Sequence, residues 1–192
     1  REVVCLLTDM DQPLGAAVGN SLEVREALDT VRGRGPGDFT ELVLDACARL
    51  LALSDLGVDL AEGRRRAEAA VSDGSAEAKW REWIEAQGGT ADEHALPDAP
   101  VVREVAAPAA GFVHALEAIA VGNAAVHLGA GRRTKEDAVD HAVGIVCHAK
   151  RGARVAAGDV LAEVHARTEE SAAEAARDVL AAYRIADGEP QS

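Results

Sequence analysis

The chain has 192 residues, 33 acidic against 20 basic, a formal charge of −13 and three cysteines. That length can bury a core in one or two domains, the cysteine content is too low for a disulfide scaffold, and the acidic surface repels phosphate backbones, so nucleic acid is excluded as a partner. No apolar run reaches the roughly 18–20 residues of a membrane helix, so the expectation is a soluble, cytoplasmic protein with no membrane partner.

Arg1 to Leu7 is apolar and β-branched, the pattern of a strand buried on both faces. A chain that opens on such a strand, with no leader before it, is expected to be a fragment of a larger domain. Thr8 to Gly15 then reads as a loop at the strand's carboxyl end, where open α/β sheets place ligands. Asn20 and Glu23 form a capping-box pattern before a helix carrying Leu22, Val24, Ala27, Leu28 and Val31, which should stop near Gly33. Asp38 is placed to cap a second helix with Leu42, Val43, Ala46, Leu50 and Leu53. Shorter helical patterns run from Asp59 to Val71 and from Ser75 to Gln87, the last with Trp80, Trp83 and Ile84 on one face, expected as core.

Gly88-Gly89-Thr90 and the Pro97 to Pro100 stretch break the helical period, placing a domain boundary near residue 97. Beyond it, Gly111 to Val113, Val139 to Val146, Arg154-Val155 and Val160 to Val164 read as short strands. Ser171 to Ala182 reads as a helix and Asp187 to Ser192 as coil. The expected fold class is α/β. Residues 1–96 should form a partial mixed sheet with packed helices, and residues 97–192 a small β-rich, barrel-sandwich-like α+β module. Cys5, Cys47 and Cys147 sit in apolar stretches without C-x-x-C spacing and are expected as buried thiols.

Thr8-Asp9-Met10-Asp11-Gln12-Pro13-Leu14-Gly15, continuing through Val18-Gly19-Asn20 and Leu22-Glu23-Val24 to Glu26-Ala27, resembles the signature in the second half of thymidine and pyrimidine-nucleoside phosphorylases. Gly33-x-Gly35-Pro36-x-Asp38 also matches. Downstream, Leu128 to Arg132, Asp137, Val143-Gly144-Ile145 and Gly152-x-x-Val155-x-x-Gly158-Asp159-x-Leu161 look like that family's carboxyl-terminal module. The resemblance implies a cytoplasmic homodimeric parent that cleaves thymidine or uridine with phosphate, giving free base and pentose 1-phosphate, without an organic cofactor. The chemistry needs groups that hold phosphate and donors that stabilise the departing base. In the family these lie upstream of this segment, so no catalytic or substrate-binding residue is expected here and the chain alone should be inactive.

The resemblance also implies a potassium ion held by the carbonyls of Leu14 and Ala17 and by Glu26. Along an uninterrupted helix Glu26 would lie roughly 13 Å from Ala17, so the stretch before Asn20 has to fold back for the three to meet. In the family the segment Gly129 to Asp140 closes over the cleft, which makes Arg132 and Lys135 candidate closure residues. Asp9 and Asp11 read as turn formers and not as a magnesium pair, Gly15 and Gly19 as turn residues, and the six histidines lack zinc spacing. Two alternatives stay open: a phosphoribosyltransferase-like enzyme, and a lipoyl- or biotinyl-like carrier. The carrier rests on Ala107-Pro108-x-x-Gly111-Phe112-Val113 and the Gly152 to Leu161 pattern, with Lys135 as the nearest, poorly matching acceptor lysine.

Overall fold

Helices dominate the first half of the chain because caps and apolar spacing recur there. The computed structural model describes residues 2–190. Helix α1 spans Asn20–Val31, α2 Gly37–Ala52, α3 Leu60–Ser72 and α4 Ser75–Ala86, followed by a single 3-10 turn at Glu93–Ala95. Asp59 caps α3 by accepting the Glu62 N–H at 2.8 Å. Asp38 lies inside the first turn of α2, whose N-cap is Pro36, because the helix begins at Gly37 and the expected cap position is already helical.

The chain divides into two compact units, one formed by Arg25–Ala95 with the described part of Arg1–Thr8, the other by Asp9–Val24 with the described part of Leu96–Ser192. In the first unit α2 and α3 cross at Gly63, where a Cβ would lie 2.6 Å from the Ala48 carbonyl oxygen. Only a residue without a side chain permits that approach. Arg32, at the end of α1, donates to Glu93 at 2.7 Å and Glu77 at 2.9 Å, tying α1 to α4 and to the 3-10 turn. These two hydrogen bonds raise the guanidinium's already high pKa further.

The second unit holds the sheets. β1 is Ala17–Val18, β2 Val101–Ala106, β3 Gly111–Leu116, β4 Gly144–Cys147, β5 Arg154–Val155, β6 Val160–Ala166 and β7 Tyr183–Ala186. Two open sheets form, in the orders β1-β4-β6-β2 and β5-β3-β7. Helices α5 (Ala118–Leu128) and α6 (Glu169–Ala182) pack on the first sheet, enclosing Leu116, Val121, Ile145, Val164 and Val179. A smaller cluster of Ala107, Val113, Ala149, Val155 and Leu161 lies under the second sheet. Thr168 and Ser171 form a reciprocal capping box at the start of α6.

The mixture of helices and strands is as expected, but the arrangement is corrected in three places. Among the described residues up to 96 no partial mixed sheet forms: every described pairing is antiparallel, and the one strand described there, β1, joins the sheet of the second unit. Residues Glu2 to Leu7 make no ladder and are exposed, Leu7 at 99%. A strand needs a neighbour to complete its ladder, and no described strand supplies one to this stretch. Cys5 is therefore exposed, whereas Cys147 is buried and Cys47 half-buried. On α4, Trp83 is 56% exposed and Trp80 and Ile84 only half-buried, because no described element covers the side of the helix where Trp83 lies.

Candidate functional site

Residues 11–19, which carry part of the first signature, run as a bent, irregular segment along the second unit into α1. Burial alternates from Pro13 through Gly15, Ala17 and Gly19 to Ser21, the period of a strand lying on a packed surface. Only Ala17 and Val18 complete a ladder, opposite Val146 and Ile145 of β4. The rest is held by individual bonds. The Ala118 N–H donates to the Asp11 carbonyl at 3.0 Å, the Cys147 N–H to the Ala16 carbonyl at 2.8 Å, and the Ser21 N–H to the His141 carbonyl at 3.0 Å. The Arg151 N–H donates to the Gln12 side-chain oxygen at 3.1 Å. The Lys150 ammonium donates to the carbonyls of both Pro13 and Gly15.

Two glycines let the segment lie this close. A Cβ on Gly19, whose φ is +145°, would meet the Val143 oxygen at 2.7 Å, and one on Gly144 would meet the Val18 oxygen at 2.5 Å. Both positions therefore require glycine for the approach of two backbones, and Gly19 also for its positive φ. The expected Asn20–Glu23 capping box is replaced by a different closure. Glu23 accepts the Gly19 N–H at 2.9 Å, and the Asn20 amide donates to the Ala130 carbonyl at 2.8 Å, fastening the start of α1 to the end of α5.

Leu14, in the loop, and Ala17, at the start of β1, thus belong to the second unit, while Glu26 belongs to the first. Their donors are carbonyl and carboxylate oxygens, the type that replaces water around potassium. The loop already gathers a monovalent cation, the Lys150 ammonium, on the carbonyls flanking Leu14. By donor chemistry the residues fit the ion.

Arg132 and Lys135 are both exposed in the segment linking α5 to β4. Beneath them Asp137 closes a turn by accepting from the Arg133 and Thr134 N–H groups and the Thr134 hydroxyl. Those hydrogen bonds, that of the hydroxyl foremost, pull its carboxyl below the usual range. Asp140 anchors the far end through two bonds to the Arg167 guanidinium, at 2.6 and 2.7 Å, and its pKa is lowered chiefly by that pairing. Lys135 therefore lies in a helix-to-strand connection and not at a β-hairpin tip, which counts against the carrier reading. Sequence reasoning missed Lys150: its acceptors lie more than 130 positions away, and no local pattern marks it.

Residues 112–186 match the family described as "Pyrimidine nucleoside phosphorylase C-terminal domain". The chain is 42% identical over 174 residues to the pyrimidine-nucleoside phosphorylase of Geobacillus stearothermophilus, covering 88% of this chain and 40% of that protein. The pyrimidine-nucleoside phosphorylases of Staphylococcus haemolyticus and Bacillus subtilis are each 40% identical over 173 residues, with the same coverage. The chain spans 40% of the length of these relatives. The chain is accordingly similar to part of the pyrimidine-nucleoside phosphorylases, and its residues 112–186 match their C-terminal domain.

Proposed function

We propose that this chain is the scaffold portion of an enzyme that splits pyrimidine nucleosides with inorganic phosphate. Phosphate attacks the anomeric carbon as the bond to the base breaks, and the base leaves with the bonding electrons. Groups that grip phosphate and base would come from the remainder of a full-length protein, while this portion holds the signature loop in place. One observation carries the reading: the signature segment and the module matched to the family form a single compact unit, joined at β1 and β4.

Within that reading, Leu14, Ala17 and Glu26 hold a potassium ion that orders the loop, and no organic cofactor takes part. Arg132 and Lys135 stabilise a closed state over the bound nucleoside. Their segment is pinned by Asp137 and Asp140 while their own side chains stay exposed, which suits a closure role. The parent acts as a homodimer in the cytoplasm, in nucleoside salvage. The test is phosphorolysis of thymidine and of uridine by this chain and by the complete enzyme. Turnover by the complete enzyme alone is expected, and turnover by the isolated chain would overturn the scaffold role.

A further inference from the structure

Between Gln12 and Ala16 the signature loop cannot be held by a regular ladder. Pro13 has no N–H to donate, and Gly15 turns into the left-handed region with φ of 69°. The main chain there offers carbonyls in excess of donors. One short stretch, Cys147 to Arg151, supplies the missing donors: the Cys147 N–H to Ala16, the Lys150 ammonium to Pro13 and Gly15, and the Arg151 N–H to the Gln12 side chain.

Lys150 differs from the others because it brings a charge. An ammonium has three donors and no acceptor, and bonds from a charged donor are roughly twice as strong as neutral ones. Half-buried against two converging carbonyls, it does the work an alkali cation does in a carbonyl cage. Its two acceptors belong to the Pro13–Leu14 and Gly15–Ala16 peptides, so it holds the planes that bracket the Leu14–Gly15 peptide and its carbonyl.

We propose that Lys150 is a positioning residue: its ammonium serves as a built-in monovalent cation that clamps the Pro13 and Gly15 carbonyls and so sets the Leu14 and Ala17 carbonyls for potassium. The clamp itself stands on the geometry above. The potassium half rests on the functional reading just given.

The experiment uses the complete enzyme carrying Lys150→Met, Lys150→Gln and Lys150→Arg, the glutamine variant serving if the methionine variant does not fold. Amide exchange across residues 9–19 should quicken roughly tenfold in the methionine or glutamine variant while exchange in α5 and α6 stays as in the parent. The potassium concentration giving half the maximal rise in melting temperature should increase roughly tenfold, with kcat at saturating potassium nearly kept. Lys150→Arg, whose guanidinium can bridge two carbonyls, should recover most of both effects. Unchanged exchange across 9–19 in a folded variant overturns the clamp, whatever the enzyme's activity. An unshifted potassium midpoint, or a parent enzyme that ignores potassium, overturns the potassium half. An active parent with either result leaves the phosphorylase reading standing, whereas a parent that never splits nucleosides sinks that reading while the exchange measurement still judges the clamp.

Discussion

The two units solve the problem of burial differently. The sheet-containing unit has a dense apolar interior, with Val113, Val121, Ile145, Leu161, Val164 and Val179 all at 0% exposure. The helical unit buries little beyond Leu28, Leu44 and Ala48, and leaves Leu50, Leu56 and Trp83 more than half exposed. Besides the half-buried Arg32 it relies on a glycine crossing and on exposed ion pairs such as Arg34 with Asp29 and Lys79 with Glu82. Removal of apolar area from water scales with contact, whereas exposed ion pairs contribute little each. The sheet unit should therefore be the more resistant of the two.

Both tryptophans lie on α4 and the single tyrosine on β7, so the units report separately in fluorescence and near-ultraviolet dichroism. The largest expected effect is Leu116→Ala, which empties a fully buried site and should cost the sheet unit about 2–5 kcal/mol in urea unfolding, with a smaller change in the tryptophan signal. An equal shift in both signals would show that the units unfold as one. Gly63→Val drives a side chain into the Ala48 carbonyl and should cost the helical unit about 1–3 kcal/mol, read from tryptophan fluorescence. Tyr183→Phe removes a 2.9 Å bond to the Leu161 carbonyl, which keeps the His148 and Ala149 N–H groups as donors. Its cost should stay near 1 kcal/mol.

A smaller effect depends on pH. The Arg167 guanidinium holds the Asp140 carboxyl below its ordinary pKa, so this pair stabilises the fold fully above about pH 4 and the contribution fades as pH falls through the lower folded value. Asp140→Asn should lower the melting temperature at pH 7 and flatten its decline in acid, a difference that closes at the lowest pH. Trp83→Ala should change stability by less than about 0.5 kcal/mol, since so much of the ring already meets water.

Local signals were readable where local physics decides. The helical pattern from Asp59 to Val71 announced α3, and the short apolar run Val160 to Val164 announced β6. Helix α5 escaped because Ala118–Leu128 is apolar on most sides, carries Gly122 inside and has no side-chain cap, the pattern of a buried helix that mimics strand runs. β2 was hidden beside Pro100, and β7 follows α6 without a break. Glu2 to Leu7 shows the reverse error: β-branched residues permit a strand but partners make one. Within the site, the loop and its glycines were evident, while Lys150 and the Asn20 bond to Ala130 depend on residues more than a hundred positions away.

Because the sheet-containing unit is discontinuous in sequence, trimming the chain to begin at residue 97 would not yield a self-sufficient piece. The cut would discard residues 11–21, stripping acceptors from the Ala118, Cys147 and Arg151 amides and from Lys150, and exposing the free edge of β4. Bare edges recruit other chains. An excised module should thus precipitate or pair with itself, and mixing in a synthetic peptide spanning Asp9–Val24 should restore a monodisperse species.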